Sequence, residues 1–264
     1  MSDYQSIITE VDGAVGILTL NKAYRHNAFD EELITEITVG LLELEADENV
    51  RAVVLSSTGK SFCAGADLNW MRAAAGYSPE ENLRDAHRLA ELLSTLNELS
   101  KPTIARVQGP AYGGGVGLIA ACDIAVGSYD AVFALSEVKL GIVPAVISPY
   151  VLAAIGERYS RRYMLTAERF SAAEAYRIGL LHEIVPGDEQ LDEAIGEILD
   201  SLLGNGPKAQ AECKSLIRVV AGQPIDEQTI AETAQRITRV RASSEGQEGL
   251  AAFLEKRRPN WLAE

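Results

Sequence analysis

Cysteine and histidine are both scarce in this sequence. The three cysteines, Cys63, Cys122 and Cys213, stand alone without paired spacing. That excludes a disulfide scaffold and points to reduced thiols in a cytoplasmic protein. The three histidines, His26, His87 and His182, are scattered, and no two share metal-ligand spacing, so no metal site is expected. Basic residues are outnumbered, 24 Lys and Arg against 38 Asp and Glu, for a formal net charge of −14. Such a field repels nucleic acid and anionic membranes, and an anionic ligand would need a local basic patch. No apolar run reaches the roughly 18 residues of a membrane span. The start, MSDYQSIITEV, lacks the basic-then-apolar order of a signal peptide. No G-x-S-x-G elbow is present, which leaves serine hydrolase chemistry without support.

What is there suffices for one large domain, or one domain with an appendage: 264 residues, 47% of them hydrophobic. IITEV-DG-AVGILTL predicts a β-hairpin turning at Asp12-Gly13. Asp30 predicts an N-cap, with Glu31 and Glu32 in the first turn and Leu33, Ile37 and Leu41 on the apolar face. Arg51–Ser57 and Thr103–Val107 read as apolar strands, and Glu80–Leu99 as a long helix. Short strands are expected at Asp123–Gly127 and Ala131–Leu135. Strands alternate with helices over roughly the first 190 residues, the pattern of an α/β fold. From Pro207 the strands stop, and Pro207–Val220, Ile225–Arg241 and Glu245–Lys256 read as helices.

Two glycine loops each follow an apolar strand and open a helix. The first runs Ser61-Phe62-Cys63-Ala64-Gly65-Ala66-Asp67-Leu68, and the second Gly109-Pro110-Ala111-Tyr112-Gly113-Gly114-Gly115-Val116-Gly117. N–H groups at a helix start lack intrahelical acceptors, and small residues let a ligand approach the backbone. One N–H from each loop could hold a single carbonyl oxygen, an oxyanion hole. Bound there, a thioester becomes acidic at its α-carbon. Taken singly, either loop is equally a tight turn. Gly115-x-Gly117-x-x-Ala120 with Glu137 also matches a dinucleotide fingerprint, but it lies mid-chain and no clean run of βαβ units follows. Cys63, beside the first loop, reads as a small apolar wall rather than a nucleophile. Trp70, Met71 and Tyr112 flank the loops and either line an acyl pocket or pack in the core.

FCAGADLNWM and QGPAYGGGVGLIAACDIAVGS resemble the two signatures of the crotonase (enoyl-CoA hydratase/isomerase) superfamily. NKAYRHNAFD, SEVKLGIVPA, LTAERFSAAEAYRIGLLHEIVP and EGLAAFLEKRRPNW match it in the same order, across essentially the whole chain. The resemblance implies a spiral of ββα units over residues 1–200 and a helical C-terminal trimerisation region over residues 201–264. It implies a homotrimer or a hexamer built as a dimer of trimers. It makes a coenzyme A thioester the substrate, with no resident cofactor. Ala66 and Gly114 take the oxyanion positions. Arg25, Ala28, Ala64, Ala66, Asp67, Leu68, Phe253 and Lys256 take coenzyme A positions, the last two often reaching a neighbouring subunit's site.

Hydratases of this family carry two glutamates, which here fall on Gly117 and Glu137. Only Glu137 is a carboxylate. Two carboxylates orient one water; one alone suffices to move a proton between two carbons. The sequence most resembles bacterial hydratases of 3-methylglutaconyl-CoA and isohexenylglutaconyl-CoA in leucine and acyclic-terpenoid breakdown, whose substrates carry a second carboxylate that could replace the missing one. The expectation is thus a hydratase of a branched or carboxylated 2-enoyl-CoA. The alternatives are an isomerase using Glu137 alone and a non-catalytic acyl-CoA-binding homologue. A glutamate placed at position 117 is expected to restore the second carboxylate.

Overall fold

The computed structural model describes residues 4–262. β1 (Ile7–Asp12) and β2 (Val15–Leu20) form the expected hairpin. Its register pairs Asp12 with Val15, so Gly13-Ala14 make the turn, one residue later than the sequence suggests. Gly13 takes a φ of +56°, which a residue without Cβ reaches at least cost. α1 (Glu31–Ala46) starts where expected, because the Asp30 carboxylate accepts the Leu33 N–H at 2.9 Å.

Six strands make the main sheet, in the order β1, β2, β3 (Ala52–Ser57), β4 (Thr103–Val107), β6 (Ile124–Ser128) and β9 (Glu183–Val185). All neighbours beyond the hairpin are parallel. Crossovers through α1, α2 (Leu68–Ala74), α3 (Pro79–Glu98), α4 (Gly114–Ala121), α5 (Ser148–Thr166) and α6 (Ala172–Ile178) join them. Parallel strands covered on both faces read as continuous apolar runs, and every residue of β3 is buried. Alternation divides them. Val53, Leu55 and Ala105 enter the large core beneath α1, α3 and α4. Val54, Ile104 and Val126 face α7 (Asp188–Leu203) on the other side. A small second sheet of β5 (Ala111–Tyr112), β7 (Val132–Ala134) and β8 (Phe170–Ser171) carries the second glycine loop.

The tail is α8 (Pro207–Val220), α9 (Glu227–Ala242) and α10 (Ser244–Glu255). Lys214 Nζ meets Asp123 Oδ2 at 2.7 Å, and the Arg51 guanidinium donates to the Asn205 and Trp261 carbonyls. Within these three helices only Ala252 is buried. Ile217, Ile230, Ile237, Phe253 and Leu254 stand exposed.

One polar knot joins α5 to α6. The Tyr163 hydroxyl donates to Glu174 at 2.5 Å and Arg177 Nε donates to it at 2.6 Å. The Arg177 and Tyr163 hydrogen bonds hold the Glu174 carboxyl down at about 2. A carboxyl depressed on folding stabilises the protein above its unfolded value, and the gain is lost as pH falls through the folded one. Glu174→Gln should therefore lower Tm at pH 7 by roughly 3 °C or more. The gap should close as pH falls from 4.5 towards 2 in a calorimetric series.

Candidate active site

The first glycine loop leaves β3 and the second leaves β4, adjacent strands, so both emerge at the same end of the sheet. They are stitched together: the Phe62 N–H donates to the Pro110 carbonyl at 3.0 Å and the Tyr112 N–H to the Cys63 carbonyl at 2.9 Å. Gly65 has φ +85°, and a Cβ there would stand 2.9 Å from the Tyr112 carbonyl oxygen. Conformation and contact both demand glycine. A Cβ on Gly115 would lie 2.5 Å from the Cys63 carbonyl, so the first turn of α4 rests directly on the first loop.

Phe29 pairs with the first loop on either side of Ala66. Its N–H donates to the Gly65 carbonyl at 2.7 Å, and its carbonyl accepts the Asp67 N–H at 2.8 Å. In such a parallel bridge the Ala66 N–H, between those two groups, points away from Phe29. Gly114 opens α4, so its N–H has no intrahelical acceptor. Among the described residues neither N–H meets a backbone acceptor.

Both loops line a cavity of about 530 Å³, which also holds Glu137, Trp70, Met71, Leu89 and the segment 140–147 except Gly141. Its wall is apolar apart from Ser136, Glu137 and the backbone. Glu137 begins a short 3-10 turn shortly after β7. Gly113, at φ +51°, leaves it room, since a Cβ there would be 2.9 Å from Glu137 Oε1. Glu137 Oε2 is buried and meets no hydrogen-bond donor among the described residues. Burial raises this carboxyl above its ordinary value, and its own backbone N–H offsets only part of the rise.

A second cavity of about 480 Å³ adjoins the first, sharing Ala64, Ala66 and Leu68. Arg25, Ala28 and Asp67 also line it, as do Tyr24, His26 and Arg72. The structure thus brings Arg25, Ala28, Ala64, Ala66, Asp67 and Leu68 together. Asp67 is engaged already: it caps α2 through the Asn69 N–H at 2.7 Å and holds Arg25 Nη1 at 2.9 Å. Burial pushes its carboxyl up, but these N–H groups and the guanidinium prevail and lower it. Phe253 and Lys256 line neither cavity within one chain; Phe253 is 80% exposed and Lys256 ends α10.

Trp70 and Met71 line the larger cavity, whereas the Tyr112 ring lies under the Arg169 guanidinium at 5.5 Å. Phe29 and Ile147 left no mark in the sequence, because their part lies in contacts between distant segments. Position 117 brings a correction. A Cβ there would stand 2.3 Å from Ile147 Cγ2 and 2.9 Å from Ile147 Cβ, so glutamate at 117 alone has no room.

Cys63 is wholly buried, and burial pushes its thiol up to about 12. The thiolate, the reactive form, is then absent at neutral pH. Iodoacetamide at pH 8 should leave Cys63 unmodified in the native protein and alkylate it in denaturant, as peptide mass mapping would show. Native alkylation with loss of activity would restore the nucleophile reading.

Two glycine loops and a buried carboxylate lining one apolar cavity on an α/β core fit a crotonase-type enzyme. The profile of the enoyl-CoA hydratase/isomerase family matches residues 10–264. The chain is similar to enoyl-CoA hydratase ACTT6 of Alternaria alternata, 34% identical over 245 residues, covering 91% of this chain and 78% of the relative. The crystal structure of an enoyl-CoA hydratase from Shewanella pealeana is 46% identical, with a TM-score of 0.95 over 98% of this chain and 97% of the other. An enoyl-CoA hydratase from Mycobacterium smegmatis is 32% identical, with a TM-score of 0.91 over 98% and 100%. The chain belongs to the enoyl-CoA hydratase/isomerase family.

Proposed function

We propose that this enzyme hydrates a branched 2-enoyl-CoA thioester, with Glu137 as its single acid–base residue. The observation that carries the reading is the unpartnered, buried Glu137 Oε2 in the same cavity as the Ala66 and Gly114 N–H groups. The thioester oxygen accepts both N–H groups, which stabilise the enolate. Glu137 takes a proton from water as its oxygen bonds to C3, and returns that proton to C2. The hydratase names of the relatives support addition of water over other enolate chemistry.

Coenzyme A arrives with the substrate and extends through the adjoining cavity, where Arg25 and Arg72 offer positive charge to its phosphates. Phe253 and Lys256 complete that site from a neighbouring subunit of a trimer or hexamer. The exposed apolar residues of α8–α10 support such an assembly. Light scattering should give a trimer or hexamer at micromolar concentration, and a monomer would overturn it. The unpaired thiols suit a cytoplasmic setting.

The inner cavity wall holds no Lys or Arg among the described residues, which suits an apolar branch. A carboxylated acyl group such as 3-methylglutaconyl would have its own carboxylate hold the water, near the exposed mouth formed by Leu140, Ile142 and Val143. The test is a panel of crotonyl-, 3-methylcrotonyl- and 3-methylglutaconyl-CoA, with products identified by mass. A gain of one water on a branched substrate is expected. The lack of a second carboxylate at Gly117 favours a second reading, isomerisation. Conversion of 3-enoyl- to 2-enoyl-CoA with no hydration of any substrate would establish it. No turnover at all would leave an acyl-CoA-binding protein.

A further inference from the structure

We infer that Ile147 occupies the seat a second carboxylate would need, and that the Gly117–Ile147 pair makes this a one-carboxylate site. The inference rests on the reading of Glu137 as the acid–base residue. Gly117 lies buried on α4, one turn past Gly114. The direction of its absent side chain runs straight into Ile147, with Leu93 Cδ2 next at 3.7 Å. Ile147 is itself a wall of the acyl cavity, alongside Glu137. A side chain at 117 can therefore reach the cavity only through the volume Ile147 holds.

Rotation of Ile147 does not open that path. Turning χ1 would move Cγ2, but Cβ is placed by the backbone and stays 2.9 Å from the Cβ of any residue at 117. The backbone is held in turn: Ile147 precedes α5, is 3% exposed, and its carbonyl accepts the Val151 N–H at 3.1 Å. Trimming Ile147 to alanine keeps the clashing Cβ; glycine removes it, and the local φ of −81° and ψ of −16° suit glycine. The two positions form a complementary small–large pair. Ile147 also bounds the acyl branch, so its removal enlarges the cavity.

Two sets of variants test this. Gly117→Ala, Ile147→Gly and the double variant are compared by thermal unfolding. Gly117→Ala alone should lower Tm by about 4 °C or more through overpacking, and should cost little or nothing when Ile147 is already glycine. Equal shifts in both backgrounds would overturn the interlock. The second set compares Gly117→Glu/Ile147→Gly with Ile147→Gly on crotonyl-CoA. The double variant should hydrate it at least roughly tenfold faster, with a second ionisation in the pH profile of kcat/KM. Coupling in Tm without that gain or that ionisation would overturn the assignment of the seat to a carboxylate. Absence of hydration by the wild type on every enoyl-CoA would defeat the hydratase reading alone, because the Tm comparison needs no substrate.

Discussion

Glu137→Gln should lower kcat for hydration by roughly 10²–10⁴-fold, the range for loss of a general acid–base group, and leave CoA-thioester affinity nearly unchanged. Glutamine keeps the size and the hydrogen bonding of the side chain but cannot accept a proton. Exchange of the substrate α-proton with deuterated water should vanish with hydration. In the wild type, kcat/KM should fall as pH drops through the Glu137 value, with a midpoint above the ordinary 4.5, and the variant should lack that limb. Stability should move the other way. A carboxyl raised on folding binds its proton more tightly in the folded state, so ionising it opposes folding as pH climbs past 4.5. Glu137→Gln should thus have a Tm at pH 7 equal to or above that of the wild type. Full activity in the variant would remove Glu137 from the chemistry; loss of activity with a lowered Tm would make it structural.

Gly114→Val should cost at least about 2.7 kcal/mol of transition-state stabilisation, a loss of 10² or more in kcat, comparable to removing one oxyanion donor. Even the first added carbon is obstructed, because a Cβ on Gly114 would stand 2.6 Å from Phe29 Cε2. Phe29 is the residue whose backbone pairs with Gly65 and Asp67, on either side of Ala66. Displacing its ring is therefore expected to disturb both Gly114 and Ala66. Gly114→Ala should accordingly be impaired, and Phe29→Ala should make that alanine less harmful, a coupling that steady-state kinetics on one enoyl-CoA would reveal. Wild-type kcat in Gly114→Val would refute the role of this N–H.

Local chemistry made much of the site legible. Asp30 announced α1 because a carboxylate before an apolar periodic stretch satisfies helix N–H groups wherever it occurs. The strand–glycine–helix order of both loops foretold exposed N–H groups, and motif order placed Glu137 near them. The hairpin turn slipped by one residue because Asp12-Gly13 and Gly13-Ala14 are both acceptable locally, and only pairing of the strands chooses between them. Tyr112 flanks the second loop, yet its ring lies against Arg169, a residue far along the chain.

The sequence by itself determined the α/β class, through strand and helix patterns that alternate along the chain, and the two glycine loops, each a run of a few residues; motif order marked Glu137 as the lone carboxylate. It also showed that position 117 lacks a carboxylate. Why glycine must stand there was decided only by the tertiary structure. Ile147 is thirty residues away, and the chain passes through a second sheet and a 3-10 turn before returning to lie against α4. Steric exclusion depends on where atoms lie once distant segments pack, and backbone placement of the Ile147 Cβ leaves no rotamer that yields. Local periodicity records which faces are apolar; it carries no measure of the volume left between two of them.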